Sequence, residues 1–413
     1  MMTSGNTQRF SKTFIRLAWS NLVAQLAEQI GLAAAPLVAV LVFAANAGET
    51  GLLQTAQTLP FLLLSLPAGV LADRVSRRVI MTSAEAIRAV SLLLILALYL
   101  SDLLTLPLLA FLGFIGATST VVYSVSAPSL VPSLVAREVL PAANGRLELA
   151  RSTALVAGPS VAGFIVGWTG APTAYVFAAA LSTIAVILLF ELKEPASAKQ
   201  AKRHVLHDLR DGAGFVLANP LLRPMLLTGV IFNISWFILQ AIYVLYAIRI
   251  LGLSAATVGL TMGIYGAGMV TGALITPRLA KRLPFGRMLV LGPLSGVIGS
   301  LIMVLTQQVH TGLLVGIGFF MFGVGPIIWT ITSTTLRQVI VPEHMLGRAT
   351  ALMMMTSFGA RPIGSAIGAL IGAKYGAEAC VVMAAVGFLV QFAVITMSPV
   401  SRLSELPAMA GAS

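Results

Sequence analysis

Twelve stretches of mostly apolar residues, each about the length of a bilayer-spanning helix, run through this chain. They occupy positions 17–44, 51–72, 79–100, 104–132, 145–168, 172–191, 224–250, 255–279, 287–306, 311–335, 347–373 and 377–398, with Gly, Pro and charged residues between them. Crossing the hydrocarbon core of a membrane takes about 20 such residues, and backbone surrounded by lipid must satisfy its own hydrogen bonds, which a helix does. A soluble interior for so many apolar runs is excluded by charge. Only 10% of the 413 residues are charged and 58% are hydrophobic, whereas a soluble domain carries about 25% charged residues. The pattern predicts an all-α polytopic membrane protein with twelve transmembrane helices. The first stretch carries Asn21, Gln25 and Glu28 where a cleaved leader would be apolar, so it is expected to be span one.

One long polar segment interrupts the series and divides it six and six. It gives a first bundle over 1–192, a linker over 193–220, a second bundle over 221–400 and a tail over 401–413. In the linker Val205, Leu206, Leu209, Phe215 and Val216 alternate with charged residues. Two readings follow: a short amphipathic helix on the membrane surface, or a solvated tether. The halves repeat one another faintly, Gly145-Arg146 before span five matching Gly347-Arg348 before span eleven. Two six-helix pseudo-repeats around a central cavity form an architecture suited to alternating access.

The net charge of +12 follows from topology. With both termini in the cytoplasm, 21 of the 26 Lys and Arg residues fall on the inner side and only Arg249 and Lys374 on the outer, as the positive-inside rule requires. Basic residues spread over every inner loop without aromatic interleaving are no nucleic-acid footprint. Enzymatic chemistry is equally unsupported. His204, His207, His310 and His344 lie in or beside loops, Cys380 is the single cysteine, and there is no Gly-Lys-Ser or Gly-Lys-Thr phosphate loop. No metal, cofactor or nucleotide is therefore expected.

The segment GVLADRVSRR from Gly69, between spans two and three, resembles the best-known signature of the major facilitator superfamily. AEAIRAV from Ala84, PSLVPSLVAREVLPAANGRLELARSTALVAGP, LRDGAGFVLANPLLRP and TLRQVIVPEHMLGR resemble one exporter subgroup of it, which includes enterobactin and macrolide efflux proteins. The resemblance implies ion-driven export of small molecules across the inner membrane. Its partners would be a substrate, protons and lipid, with the chain working as a monomer. It also implies a cytoplasmic latch of Gly69, Asp73, Arg77 and Arg78, with Asp73 against the N-terminus of span eleven, where a carboxylate gains about 0.3–1 kcal/mol. Topological charge and a tight turn explain the same residues. Gly145, Gly158, Pro159 and Gly163 match the exporters' span-five motif, with alanines at two other motif positions. Small residues there equally serve close helix packing. Span four lacks the arginine common in proton-coupled drug exporters, so coupling must use other groups.

Glu28 lies eleven residues into span one, near mid-membrane, where a charge costs about 2.5–3.5 kcal/mol. It shares a face with Asn21 and Gln25 by i, i+4, i+7 spacing. That face suits a proton carrier in a cavity, or a structural hydrogen-bonding stripe. Arg361 is comparably deep, with three roles open: pairing with Glu28, meeting an anionic substrate group, or a structural ion pair. Span seven presents Asn233, Trp236, Gln240 and Tyr243, a wall suited to an amphipathic, ring-bearing substrate. Arg88 and Arg151 follow Glu85 and Glu148 by three residues, so local pairing or snorkelling towards the inner interface explains them. An importer or lipid flippase of the same fold, and a membrane sensor that has lost turnover, remain alternatives.

Overall fold

The computed structural model describes residues 11–135, 139–192 and 205–407; at Gly69, Asp73 and 205–209, among others, the description stops at the backbone. The described residues form thirteen α-helices: α1 (Lys12–Leu41), α2 (Ala47–Arg74), α3 (Arg77–Leu100), α4 (Leu106–Leu134), α5 (Leu140–Thr169), α6 (Ala171–Phe190), α7 (Val205–Ala218), α8 (Leu222–Leu245), α9 (Ala255–Ala280), α10 (Phe285–Leu305), α11 (Gly312–Ile340), α12 (Glu343–Tyr375) and α13 (Ala377–Thr396). All but the 14-residue α7 have 20 to 33 residues, or roughly 30–50 Å at 1.5 Å per residue. Ten of these twelve are apolar enough to span a membrane on composition alone. The other two, α2 and α12, have the length (28 and 33 residues), and α12 carries Arg348, Arg361 and Lys374.

Short polar signals set the helix ends. Asn46 accepts from the Glu49 backbone N–H at 3.0 Å while the Glu49 carboxylate accepts from the Asn46 N–H at 2.8 Å, a capping box that starts α2. The repeat is plain at two turns. α5 passes to α6 through Gly170 (φ +88°) and α12 to α13 through Gly376 (φ +85°), each donating its N–H four residues back. Their ψ values of 167° and 173° complete a backbone conformation that is essentially restricted to glycine.

Helix direction alternates, so α7 lies at one end of the bundle and the α1/α2, α5/α6, α8/α9 and α12/α13 connections at the other. Buried apolar residues form one continuous core at this second end, drawing on both halves from Ile30 and Ala174 to Trp236 and Phe388. Towards the α7 end it divides. One cluster, with Phe14, Met81, Tyr123 and Leu189, belongs to the first half, and another, with Met225, Leu289, Leu336 and Ile395, to the second. The core is thus V-shaped, joined away from α7.

Small residues make the joint. Gly48 and Gly51 of α2 lie against Ala373 and Ala369 of α12, Gly372 against Ala47, and Gly163 of α5 against Gly259 of α9; a Cβ added to Gly163 would come within 2.7 Å of the Gly259 Cα. A five-residue π-helix over Tyr246–Ile250 ends α8. Within it Arg249 donates to the Val40 carbonyl at 3.4 Å, a further tie between the halves.

The linker contains the helix that one of the two sequence readings expects. α7 is a helix, but it docks on protein. Val216 is fully buried in the second half's cluster beside Leu222 and Leu352, Gly212 abuts the Arg348 backbone, and Asp211 pairs with Arg348 at 2.9 Å. An apolar position reads the same whether lipid or a neighbouring helix covers it, and at Phe215 and Val216 the cover comes from α8 and α12. Positions 193–204 lie outside the described residues.

Candidate functional site

Two carboxylates and one guanidinium meet in the first half. Arg88 of α3, 4% exposed, donates to Glu85 at 2.5 Å and lies 3.7 Å from Glu28 of α1. It also donates to Thr120 of α4 at 2.8 Å and to the Ala24 carbonyl at 3.4 Å. Glu85 is fully buried and accepts from Ser182 of α6 at 2.9 Å. The i, i+3 pair expected of Glu85 and Arg88 is present, and Glu28 joins it. This corrects one option for Glu28: its ion partner is Arg88, not Arg361. Formal charge makes the acids unequal. One guanidinium balances one carboxylate, and Glu85 holds it closely with a serine in support. Glu28 is the surplus acid, more loosely held and 14% exposed.

Glu28 and Arg88 line a cavity of about 50 Å³ with Gln57, Ser91, Thr120 and Tyr175, room for a few water molecules. The Gln57 Oε1 and Tyr175 hydroxyl are buried without a hydrogen-bond partner. Polar atoms left this way in a space of this size are the partners ordered water takes. Asn21 is buried and donates to the Leu147 carbonyl of α5 at 3.4 Å. Gln25 is partly exposed on the same face.

Arg361 stands where α2, α8 and α12 converge, just towards the α7 end of the joint. Its guanidinium carbon is 4.3 Å from the Phe358 ring centroid, 5.2 Å from Phe61 and 5.5 Å from Phe237. Each cation–π contact contributes about 0.5–2 kcal/mol. Three of them offset a mid-membrane charge cost of about 2.5–3.5 kcal/mol without any anion. Among the described residues no carboxylate lies within 4 Å of Arg361, and its Nε is buried without an acceptor. Arg151 itself holds Glu148 at 2.6 Å, as their spacing predicts.

The α8 stripe is divided. Trp236, 6% exposed, stacks on Tyr265 and meets Phe319 and Phe322 edge-on. Tyr243 is fully buried and hydrogen-bonded to Thr261. Both belong to the aromatic interior of the second half. Asn233, which donates to the Gly229 carbonyl at 2.9 Å, and Gln240 are partly exposed. In the expected latch, Gly69 and Asp73 lie outside the described side chains. Arg78 donates to the Phe190 carbonyl at the end of α6 and stacks on its ring, and Arg77 begins α3. Of the span-five motif, Gly158 sits against Gln29 of α1, Gly163 against α9, and Pro159 lies inside the helix; Gly145 has open space around it.

Sequence reasoning missed Gln57, Thr120, Ser182 and the rings around Arg361. The signal for Arg88 was available. It lies nine residues into its predicted span and Glu28 eleven into its own, so the two share a depth.

A twelve-span helical bundle, joined at one end and divided at the other, with unlike charges on facing helices, defines a membrane transporter rather than an enzyme. The chain belongs to the Major Facilitator Superfamily, whose family model matches residues 17–365. It is 27% identical over 310 residues to an enterobactin exporter, EntS, of Escherichia coli O1:K1, covering 74% of this chain and 72% of that one. Among solved structures it resembles the nucleoside transporter NupG (TM-score 0.74, 12% identity, 94% of this chain and 99% of that one). It also resembles a bacterial homologue of the iron transporter ferroportin in the inward-facing state (TM-score 0.70, 18% identity, 93% and 100%).

Proposed function

We propose that this transporter exports small amphipathic molecules, of siderophore, macrolide or drug-like kind, across the cell membrane in exchange for protons. The observation that carries the proposal is the surplus acid: two carboxylates share one buried arginine, and the loosely held Glu28 lines a cavity with room for water. A proton on Glu28 leaves the Glu85–Arg88 pair balanced; its release leaves an uncompensated charge on α1, the helix whose Val40 carbonyl is held by Arg249 of the second half. Protonation thereby biases how the halves are arranged, as coupling requires.

With both termini in the cytoplasm, the α7 end faces inward, and the V-shaped core corresponds to a state closed to the outside. Outward transport is supported by the exporter relative and by the small-residue contacts of Gly158 and Gly163 around Pro159. The reading is tested with everted membrane vesicles, a compound panel and a protonophore. Accumulation that collapses with the protonophore is expected. Accumulation that ignores it refutes proton coupling, and loss of preloaded compound instead of accumulation reverses the direction.

A further inference from the structure

We infer that Arg361, with Phe61, Phe237 and Phe358, anchors the substrate, and that the site takes an anionic group borne on a flat apolar or aromatic body. The inference rests on the reading of this protein as a transporter of small amphipathic molecules, and it names the chemistry of what is carried.

The argument begins with pairing. Of the three arginines expected inside the spans, Arg88 holds two carboxylates and Arg151 one, while no described acid comes within 4 Å of Arg361. What surrounds Arg361 is aromatic. Rings stabilise a guanidinium through its charge and its face, but they offer no lone pair to its N–H groups. Five donors in a planar fork are therefore left without an anionic partner, and the Nε–H is buried with no acceptor at all. That fork matches carboxylate, sulfonate or phosphate oxygens two at a time. An oxyanion seated on it would bring its remaining body against the same phenyl groups, which favours a flat ring over a flexible chain.

Position points the same way. The three rings come from α2, α8 and α12, so both halves build the cage. About 12 Å further along α12, at 1.5 Å per residue, Ala369 meets Gly51 of α2 and closes the joint. A ligand entering from the α7 end would reach Arg361 at the vertex of the V, where a change in the angle between the halves alters its contacts with both.

The test uses the full chain in lipid nanodiscs and three probes: naphthalene-2-sulfonate, the naphthylmethylammonium ion, and hexanesulfonate, with binding followed by calorimetry. The wild type is expected to bind the naphthalene anion at least tenfold more tightly than the naphthalene cation and than hexanesulfonate. Arg361→Gln abolishes the preference for the anion; Arg361→Lys, which keeps the charge and loses the fork, retains a reduced preference. Phe358→Leu keeps the preference for anion over cation and loses that for ring over chain. Wild-type protein that fails to bind the sulfonate, or Arg361→Gln protein binding it within twofold of wild type, overturns the inference. The lysine and leucine variants answer the question if the glutamine variant does not fold. Binding is read separately from flux. Arg361-dependent binding without proton-linked efflux defeats the transport reading alone, whereas proton-linked efflux with Arg361-independent binding defeats this inference alone.

Discussion

Replacing Gly51 by alanine should push the protein away from the state described here. A Cβ at this position would lie 2.6 Å from the Ala369 Cβ and 2.7 Å from the Ala369 backbone nitrogen, where ordinary contact begins at 3.4 Å. The Ala369 Cα is nearer still, and none of these atoms is the end of a flexible side chain, so α2 and α12 must part by about 1 Å. Overpacking of this kind costs about 1–3 kcal/mol. The cost falls only on the arrangement in which this joint is closed, so the equilibrium moves towards the opposite arrangement by about 5- to 150-fold. Spin labels at Ser101 and His310, exposed on the two halves at the joined end, report the separation in a Cys380→Ala background. Pulsed distance measurements should show a longer-distance population that grows from wild type to Gly51→Ala to Gly51→Val. An unchanged distribution in folded Gly51→Ala protein would show that the contact does not hold the joint closed.

Three other substitutions separate the roles assigned above. Glu28→Gln should abolish the response of efflux to a pH gradient while substrate-for-substrate exchange continues in proteoliposomes; full pH dependence in the variant removes Glu28 from coupling. Glu85→Gln leaves Arg88 with only its distant partner and should destabilise the fold by about 3–5 kcal/mol, seen as a lower melting temperature in detergent and a larger drop than Glu28→Gln causes. For α7, Asp211→Asn should cost at most about 1 kcal/mol, since the pair with Arg348 is about one-third exposed. Gly212→Val should instead dislodge the helix, because a Cβ there would sit 2.8 Å from the Arg348 carbonyl oxygen, and limited proteolysis after Arg210 reads the difference.

Much of the fold is legible in sequence because lipid leaves few options. A run such as Ala171–Phe190 is uncharged and mostly apolar, and only a helix satisfies its backbone there. Glu28 is legible for the same reason, as an acid with no business in hydrocarbon unless something holds it. Which residue holds it is another matter. Arg88 was assigned to Glu85 by spacing along α3, and spacing within one helix says nothing about which side of it α1 covers. For Arg361 depth alone leaves an acid partner and a substrate anion both open, and three phenylalanines from separate helices carry no joint signature in the chain. The mid-span positions of Trp236 and Tyr243 point to a cavity wall, yet their rings turn into the second half, where Tyr265, Phe319 and Phe322 enclose Trp236 and Phe319 meets Tyr243. A one-dimensional pattern gives depth reliably and azimuth poorly.

The docking of α7 determines where the chain can be cut. A gene divided in the manner of the two bundles would ordinarily be opened near Pro220, just ahead of α8. Such a cut would strip the second fragment of Asp211, Gly212 and Val216, which sit against Arg348 and the apolar cluster around Leu352. A break placed ahead of Val205 keeps those contacts inside one fragment. Co-expressed as two polypeptides, 1–204 and 205–413 should reassemble into a working transporter, and 1–220 with 221–413 should do so poorly.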